Sequence, residues 1–388
     1  MKKIGLLPRL IIAMIVGILI GAYLPQVFTQ TLATFNGIFG NFLGFVIPLI
    51  IVGFIVPGIG DLGRGAGKTL AFTAALAYGF TVFSGLVSYG AGSLVYKHLL
   101  TPGSLSIGET DNPEHALLSP FFIIEMPPLM GVMSALLIAF ILGIGIAAAE
   151  GNALKKVMND FQEIVSKLIT ALIIPLLPFH VMGIFANMTY AGQVGEIIQV
   201  FFKVFILILI LHFLVIIVQY SIAGGFAKKN PIKLLGKMMP AYFTALGTQS
   251  SAATIPVTLE QTKQMGVRAY VADFVITLCA TIHLSGSTIT ITSCALAIMT
   301  LAGTNLPFIE FFPFILAMGV TMVAAPGVPG GAIMAALGLL QSMLGFNETA
   351  LSLMIALYLA QDGFGTATNI TGDGAVALII DRFSKAEE

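Results

Sequence analysis

Four oxygen-bearing side chains, Asp362, Thr366, Asn369 and Asp373, stand close together in the stretch "QDGFGTATNITGD". Read as a helix at about 100° per residue, the last three fall about 40°, −20° and 20° around the axis from Asp362. All four therefore share one narrow face, with Gly365 at its edge. A carboxylate at the centre of a bilayer costs at least ~2.5 kcal/mol on insertion scales. Two on one stripe of an apolar chain must face a partner or a cation. Asp, Asn and Thr oxygens are hard ligands, suited to sodium or to an ammonium group rather than to a soft transition metal. Gly363, Gly365 and Gly372 permit close approach or local unwinding, and unwinding would free carbonyls as further ligands. A packing stripe of small polar residues would account for Thr366 and Thr368; it would not account for the two Asp.

The elements that position this stripe are set by composition. Of the 388 residues, 57% are hydrophobic and 9% charged, against about 25% charged in a soluble domain. Apolar runs recur at Leu10–Ala22, Phe42–Val56, Leu136–Ala149, Val200–Val218 and Phe314–Ala325. With their flanks, several reach the roughly 20 residues that span a bilayer as a helix. The class is an all-α polytopic membrane protein. A β-barrel is excluded because the runs are continuous and do not alternate. The N-terminal "MKKIGLLPRLIIAMIVGILIGAYLP" has the charge and apolarity of a signal peptide but lacks a small-residue cleavage site, so it reads as an uncleaved first helix. Cys279 and Cys294 both lie in apolar segments and suggest neither a disulfide framework nor a metal cluster. The net charge of zero gives no reason to expect a nucleic-acid partner.

Lys and Arg cluster at 2, 3 and 9; 64 and 68; 155, 156 and 167; 228, 229, 233 and 237; 263 and 268; and 382 and 385. All fall on one side if the spans alternate and two later segments leave by the face they entered. That side, with both termini, is then cytoplasmic, and the acidic loop 108–116 is outside. The two exceptional segments are "YFTALGTQSSAATIPVTLEQ" and "MVAAPGVPGGAIMAALGLL", whose small residues, Gly and Pro permit tight tips. Bare backbone at membrane depth survives only where protein or water meets its hydrogen bonds. Each segment precedes an apolar span expected to break in its middle, at "CATIHLSGSTITIT" and at "GFGTATNITGD". A hairpin followed by a broken helix, twice over, is the pattern of an inverted repeat with a binding site at the midplane.

Other residues carry weaker signals. His283, Ser285 and Ser287 in "TIHLSGST" are candidates for ligands, a proton relay or a catalytic pair. His180 and His212 read as structural, and Glu125 as interfacial. An intramembrane hydrolase is a remote alternative: Asp362 and Asp373 lie about 16 Å apart by helical rise and cannot share a proton. No nucleophile–base–orienter chain surrounds Ser285 or Ser287. "GVPGG" is not followed by the Lys-Ser/Thr of a phosphate loop, so neither ATP nor an organic cofactor is expected.

The order "SSAATIPVT", "ATIHLSGST", "GVPGGAIM", "TNITGD" resembles the dicarboxylate/amino acid:cation symporters, the glutamate-transporter family. The likeness is strongest from Ala241 to Asp381. It implies a homotrimer in the plasma membrane whose protomers have eight transmembrane helices and two re-entrant hairpins, with a transport part that moves as an elevator. Residues 1–66 and 99–193 then supply scaffold helices 1, 2, 4 and 5. Residues 67–98 form helix 3, and 194–388 the transport core, with hairpins near 238–262 and 308–345. By the same resemblance Asp362 binds a substrate amino group, and Thr366 and Asn369 contact its amino and carboxylate groups. Ser250 and Ser251 stand in the first hairpin tip, whose backbone holds the substrate carboxylate. Gly327, Val328, Pro329 and Gly330 form the gate of the second. Asn369 and Asp373 resemble sodium ligands, and the carbonyls near Thr281 and Ala325 a further sodium site.

The departures carry as much information. Where acidic-substrate members have Arg on the last helix, this chain has Gly365, and Gln249 stands at the first hairpin. Without a guanidinium a second substrate carboxylate would go unpaired, so a neutral amino acid is expected as substrate. The family's NMDGT reads "HLSGS": His283 replaces the Asn and Ser285 the Asp. Thr73, Leu76 and Ala77 replace a Tyr, a Thr and a Ser on the third helix. One sodium site is thus dismantled. Either fewer sodium ions are coupled, or His283 and Asp373 carry a proton in place of a cation. A passive facilitator or anion channel on the same fold is the rival reading.

Overall fold

A computed structural model describes residues 6–61, 68–103, 118–149, 151–192, 194–304, 306–323, 325 and 330–384. Lys2, Lys3, Arg64, Lys385, the acidic loop 108–116 and the gate residues Gly327, Val328 and Pro329 lie outside them. Among the described residues all regular structure is helical: α1 Leu6–Tyr23, α2 Gln26–Asp61, α3 Lys68–Leu99, α4 Val132–Ala148, α5 Ala153–Leu168, α6 Ile174–Tyr190, α7 Val194–Ala227, α8 Pro231–Thr248, α9 Ser251–Gln264, α10 Ala269–Ile282, α11 Ser285–Leu301, α12 Phe308–Val323, α13 Gly331–Leu344 and α14 Glu348–Phe383. Five helical stretches, 26–57, 69–99, 153–190, 201–227 and 269–301, are long and apolar enough to cross a membrane. Large apolar side chains such as Leu137, Ile141, Phe202 and Ile210 are exposed on the outer faces of α4 and α7, as lipid contact requires.

Packing sorts the helices into two groups. The helices α1, α2, α4, α5 and α6 pack on one another, and α3 and α7 to α14 pack around a centre made of α11 and α14. Every residue of α11 is buried, and so are residues 350–380 of α14 except Ala360 and Phe364. Both are enclosed on all sides, so the polar stripe of α14 faces protein and not the surroundings. The groups meet chiefly where α13 and α14 touch α2, α4, α6 and α1, with α12 against α2 and α7 against α6 as smaller contacts.

Local chemistry accounts for the element ends. Asn230 caps α8 by accepting from the Ile232 and Lys233 amides, with Pro231 in the first turn. Ser250 caps α9, and Asn347 caps α14. Two helix pairs, α8–α9 and α12–α13, each pack back on themselves as hairpins. At the first tip Gln249 adopts a left-handed conformation, φ 53°, and at the second Gly330 does so, φ 75°. The Lys229 and Lys237 ammonium groups donate to the carbonyls of Met265 and Gln264 at the end of α9. Those lysines therefore satisfy and neutralise a helix C-terminus.

Between α5 and α6 the chain makes one π-turn, Ile169–Ile173. Its cause is visible in the buried residues Val165, Ile169, Ile173, Leu177 and Val181. A run at strict four-residue spacing drifts about 160° over sixteen residues of ideal helix. One wide turn takes back the equivalent of one residue, about 100°, and keeps the run on the core. The helices α1 and α6 touch backbone to backbone through Gly17 and Gly21, where any Cβ would strike the carbonyls of Met182 and Ala186. This is the small-residue packing expected of membrane helices.

One expectation is corrected. The span 269–301 does break, at His283 and Leu284. The second span does not: α14 runs unbroken for 36 residues through "GFGTATNITGD". Its glycines serve close approach instead of unwinding. A Cβ on Gly363 would lie 2.9 Å from the Leu246 carbonyl oxygen of the first hairpin, and one on Gly372 2.5 Å from the His283 ring.

Candidate functional site

The break between α10 and α11 strips the first amides of α11 of helical partners. The missing acceptor comes from the polar stripe. Asn369 Oδ1 accepts from Gly286 N at 2.7 Å and Ser287 N at 3.3 Å, and Asn369 Nδ2 donates to Ser287 Oγ at 3.0 Å. Gly286 and Gly365 face each other with their backbones in contact, so α11 and α14 approach closely at this level.

Three turns before Asn369 on α14 stands Tyr358, fully buried, its hydroxyl 2.8 Å from Asp362 Oδ1 and 3.1 Å from Ser287 Oγ. A phenol has a single proton. It goes to the carboxylate, which can only accept, so Ser287 donates to the phenol oxygen. The donors then run in one direction, from Asn369 through Ser287 and Tyr358 to Asp362. Asp362 Oδ2 accepts from Gly330 N at 2.7 Å, and Thr366 Oγ1 lies 3.4 Å from Oδ1. The tip of the second hairpin is thus tied by its own backbone to the carboxylate that begins the stripe. The first hairpin tip reaches the same helix at Gly363, where Gln249 Cγ lies 3.5 Å from the position of a Cβ. Ser251 is buried, and Ser250 is half-buried and accepts from Ala253 N. Asp362 therefore meets the second hairpin at Gly330 and Thr366 on its own helix, its neighbour Gly363 meets the first hairpin, and Gly365 and Asn369 face α11. No Lys or Arg takes part in any of the hydrogen bonds described here.

One turn beyond Asn369, Asp373 and its partner His283 are both without exposure, with Nδ1 of the ring 2.8 Å from Asp373 Oδ1. Gln219 of α7 lies against the far side, its Nε2 3.4 Å from His283 Nε2 and 3.3 Å from Ser285 Oγ. Thr281 stands apart, exposed and bonded through its hydroxyl to the Leu278 carbonyl of its own helix. Among the described residues no cluster of three His, Cys, Asp or Glu side chains is arranged to hold a metal ion.

The profile of the sodium:dicarboxylate symporter family matches residues 6–383. The chain belongs to that family. Among its relatives are the serine/threonine transporters SstT of Acinetobacter baumannii strain AYE, 26% identical over 411 residues with 98% of this chain and 97% of the relative covered, and of Acinetobacter baylyi, 25% identical with 99% and 98% covered. A third, from Streptococcus thermophilus, is 23% identical over 357 residues, covering 86% of this chain. As a family member it is a multi-pass membrane transport protein.

Tyr358 and Gln219 escape a reading of the stripe alone. Tyr358 lies four residues before Asp362, which puts it on the same face, a signal that was present in the sequence. Gln219 is a lone amide in an apolar run, and only the packing of α7 on α11 and α14 gives it a partner. His180 and His212, read as structural, have partners of that kind. His180 bridges Asn36 and Ser352, and His212 Nε2 faces the Gly286 carbonyl.

Proposed function

We propose that this chain is a cation-coupled symporter for a small neutral amino acid of the serine or threonine type, with sodium as the coupling ion. The observation that carries the reading is the Asp362 carboxylate, buried beside the Gly330 tip of the second hairpin, next in sequence to the Gly363 that the first hairpin touches, and surrounded by neutral donors alone. A buried carboxylate without a protein cation suits the ammonium group of an amino acid. In this reading the ammonium displaces the Gly330 amide from Asp362. The α-carboxylate is held by backbone amides at Ser250 and Ser251 and by Asn369. The side chain points toward Gly365, where a guanidinium would be needed for an acidic substrate and none exists. The serine/threonine transporters named above support the same substrate class.

The wider reading follows the packing groups. The helices α1, α2 and α4 to α6 form a scaffold, and α3 with α7 to α14 forms the part that moves as an elevator. The assembly is a homotrimer in the plasma membrane with cytoplasmic termini. Uptake into proteoliposomes tests the core of this. Under an inward sodium gradient, serine and threonine should accumulate above the outside concentration, and aspartate should not. Aspartate outrunning serine and alanine would refute the substrate class. Equilibration without accumulation, under either a sodium or a pH gradient, would establish a passive pathway instead.

A further inference from the structure

Asp373 is the second carboxylate of the stripe, and it is the one the substrate reading leaves unused. It sits at zero exposure on α14, and the only donor that reaches it among the described residues is the His283 ring. That ring is held on several sides. A Cβ on Gly372 would lie 2.5 Å from its Cε1, Phe80 meets it edge-on at 6.2 Å between centroids, and the Gln219 amide closes the far nitrogen. A sodium ion at Asp373 Oδ1 would meet the Nδ1–H that now points at that oxygen, because an N–H donor and a cation exclude each other on one lone pair. The neighbouring stripe oxygen is equally committed: Asn369 Oδ1 already accepts from two amides, Gly286 and Ser287. What stays free is Asp373 Oδ2 and Gln219 Oε1, two side-chain oxygens where an ion cage needs a fuller shell.

We infer that the His283 imidazole fills the place beside Asp373 that a coupling ion would require, so that Asp373 takes no sodium in this chain and the carrier binds one ion fewer than it would with a short polar residue at 283. The inference rests on the sodium-coupled reading proposed above. The Asp373 site is a built-in substitute: the protein supplies from its own broken helix the donor that an ion would otherwise supply from solution. Gln219 backs the ring from α7, which explains why a lone amide stands in that apolar helix.

The test counts sodium ions bound per protomer by equilibrium dialysis with radioactive sodium, in the presence of serine, on the full-length protein in detergent. The wild-type protein and Asp373→Asn should bind the same number. His283→Asn should bind one more, and His283→Asn/Asp373→Asn should lose that extra ion. A count one lower in Asp373→Asn than in the wild type would overturn the inference, and so would a His283→Asn protein that gains nothing. If Asp373→Asn does not fold, the gain in His283→Asn decides alone; if His283→Asn does not fold, His283→Gln replaces it. Wild-type protein that binds no sodium yet accumulates serine under a pH gradient would sink the sodium-coupled reading instead, and the His283→Asn gain would still stand or fall by itself.

Discussion

Asn369 is first of all a helix cap delivered from another helix, and its removal should be read in stability before transport. Its Oδ1 serves the two leading amides of α11, and both lie where no water reaches them. Asn369→Ala leaves two buried N–H groups unsatisfied, at about 1–3 kcal/mol each, so the loss is about 2–6 kcal/mol. Unfolding entropy is about 2.1 cal/mol/K per residue, which for 388 residues gives about 1.2 °C per kcal/mol. The expected fall in thermal midpoint is therefore about 2–7 °C. Thr371 makes the control. It is equally buried on the same helix, but its hydroxyl bonds only to the Ala367 carbonyl of its own turn. Thr371→Ala should cost ~1 kcal/mol, or about 1 °C, since the carbonyl keeps its helical bond. Both variants can be followed in detergent, without ligand, by loss of the monodisperse peak after heating. If Asn369→Ala melts no lower than Thr371→Ala, the trans cap is not holding the broken helix.

Three further outcomes follow from the site. Asp362→Asn should weaken serine binding about 10- to 100-fold, the loss of a charge-assisted hydrogen bond at about 1.5–3 kcal/mol; serine-dependent protection from heating measures it. Gly365→Arg begins its side chain in open contact, with Gly286 C and Ser287 N 3.5 Å from the Cβ position. It should shift the ratio of aspartate to serine uptake upward by at least about tenfold, and an unchanged ratio would remove Gly365 from the pocket. Gly372→Ala forces a methyl against His283 and Gln219 and should destabilise by about 1–3 kcal/mol, seen as a lower midpoint than that of a Gly225→Ala control, where a Cβ meets nothing within 4 Å.

Much of the site was legible because a helical stripe obeys a fixed period. Asp362, Thr366, Asn369 and Asp373 do share one face, and the hairpins fall where Gly, Pro, Ser and Thr concentrate. The break at His283 was legible too, since "HLSGS" interrupts an apolar run with residues that bond side chain to backbone. The glycines of α14 were ambiguous: the same residue type that permits unwinding also permits contact, and only the neighbouring helices decide between them. Partners from distant segments were hidden for a simpler reason. Gln219 and His283 are 64 residues apart, and nothing in either local pattern announces the other. The donor chain through Tyr358 needed a proton count at a hydroxyl whose neighbours come from two helices.

The wide turn at Ile169–Ile173 acts like a change of phase in a wave. Upstream of it, the amphipathic α5 buries Met158 and Val165 and leaves Lys156 and Lys167 exposed; downstream, α6 offers Gly183 to Asn36 and His180 to Ser352. Regularising the turn at constant length would rotate everything before it by about 100° relative to everything after it, whereas removing a single residue there would give a plain α-helix with both flanks in the phase they have now. Exchanging any of the five side chains would be far milder, since what that segment contributes is an angle.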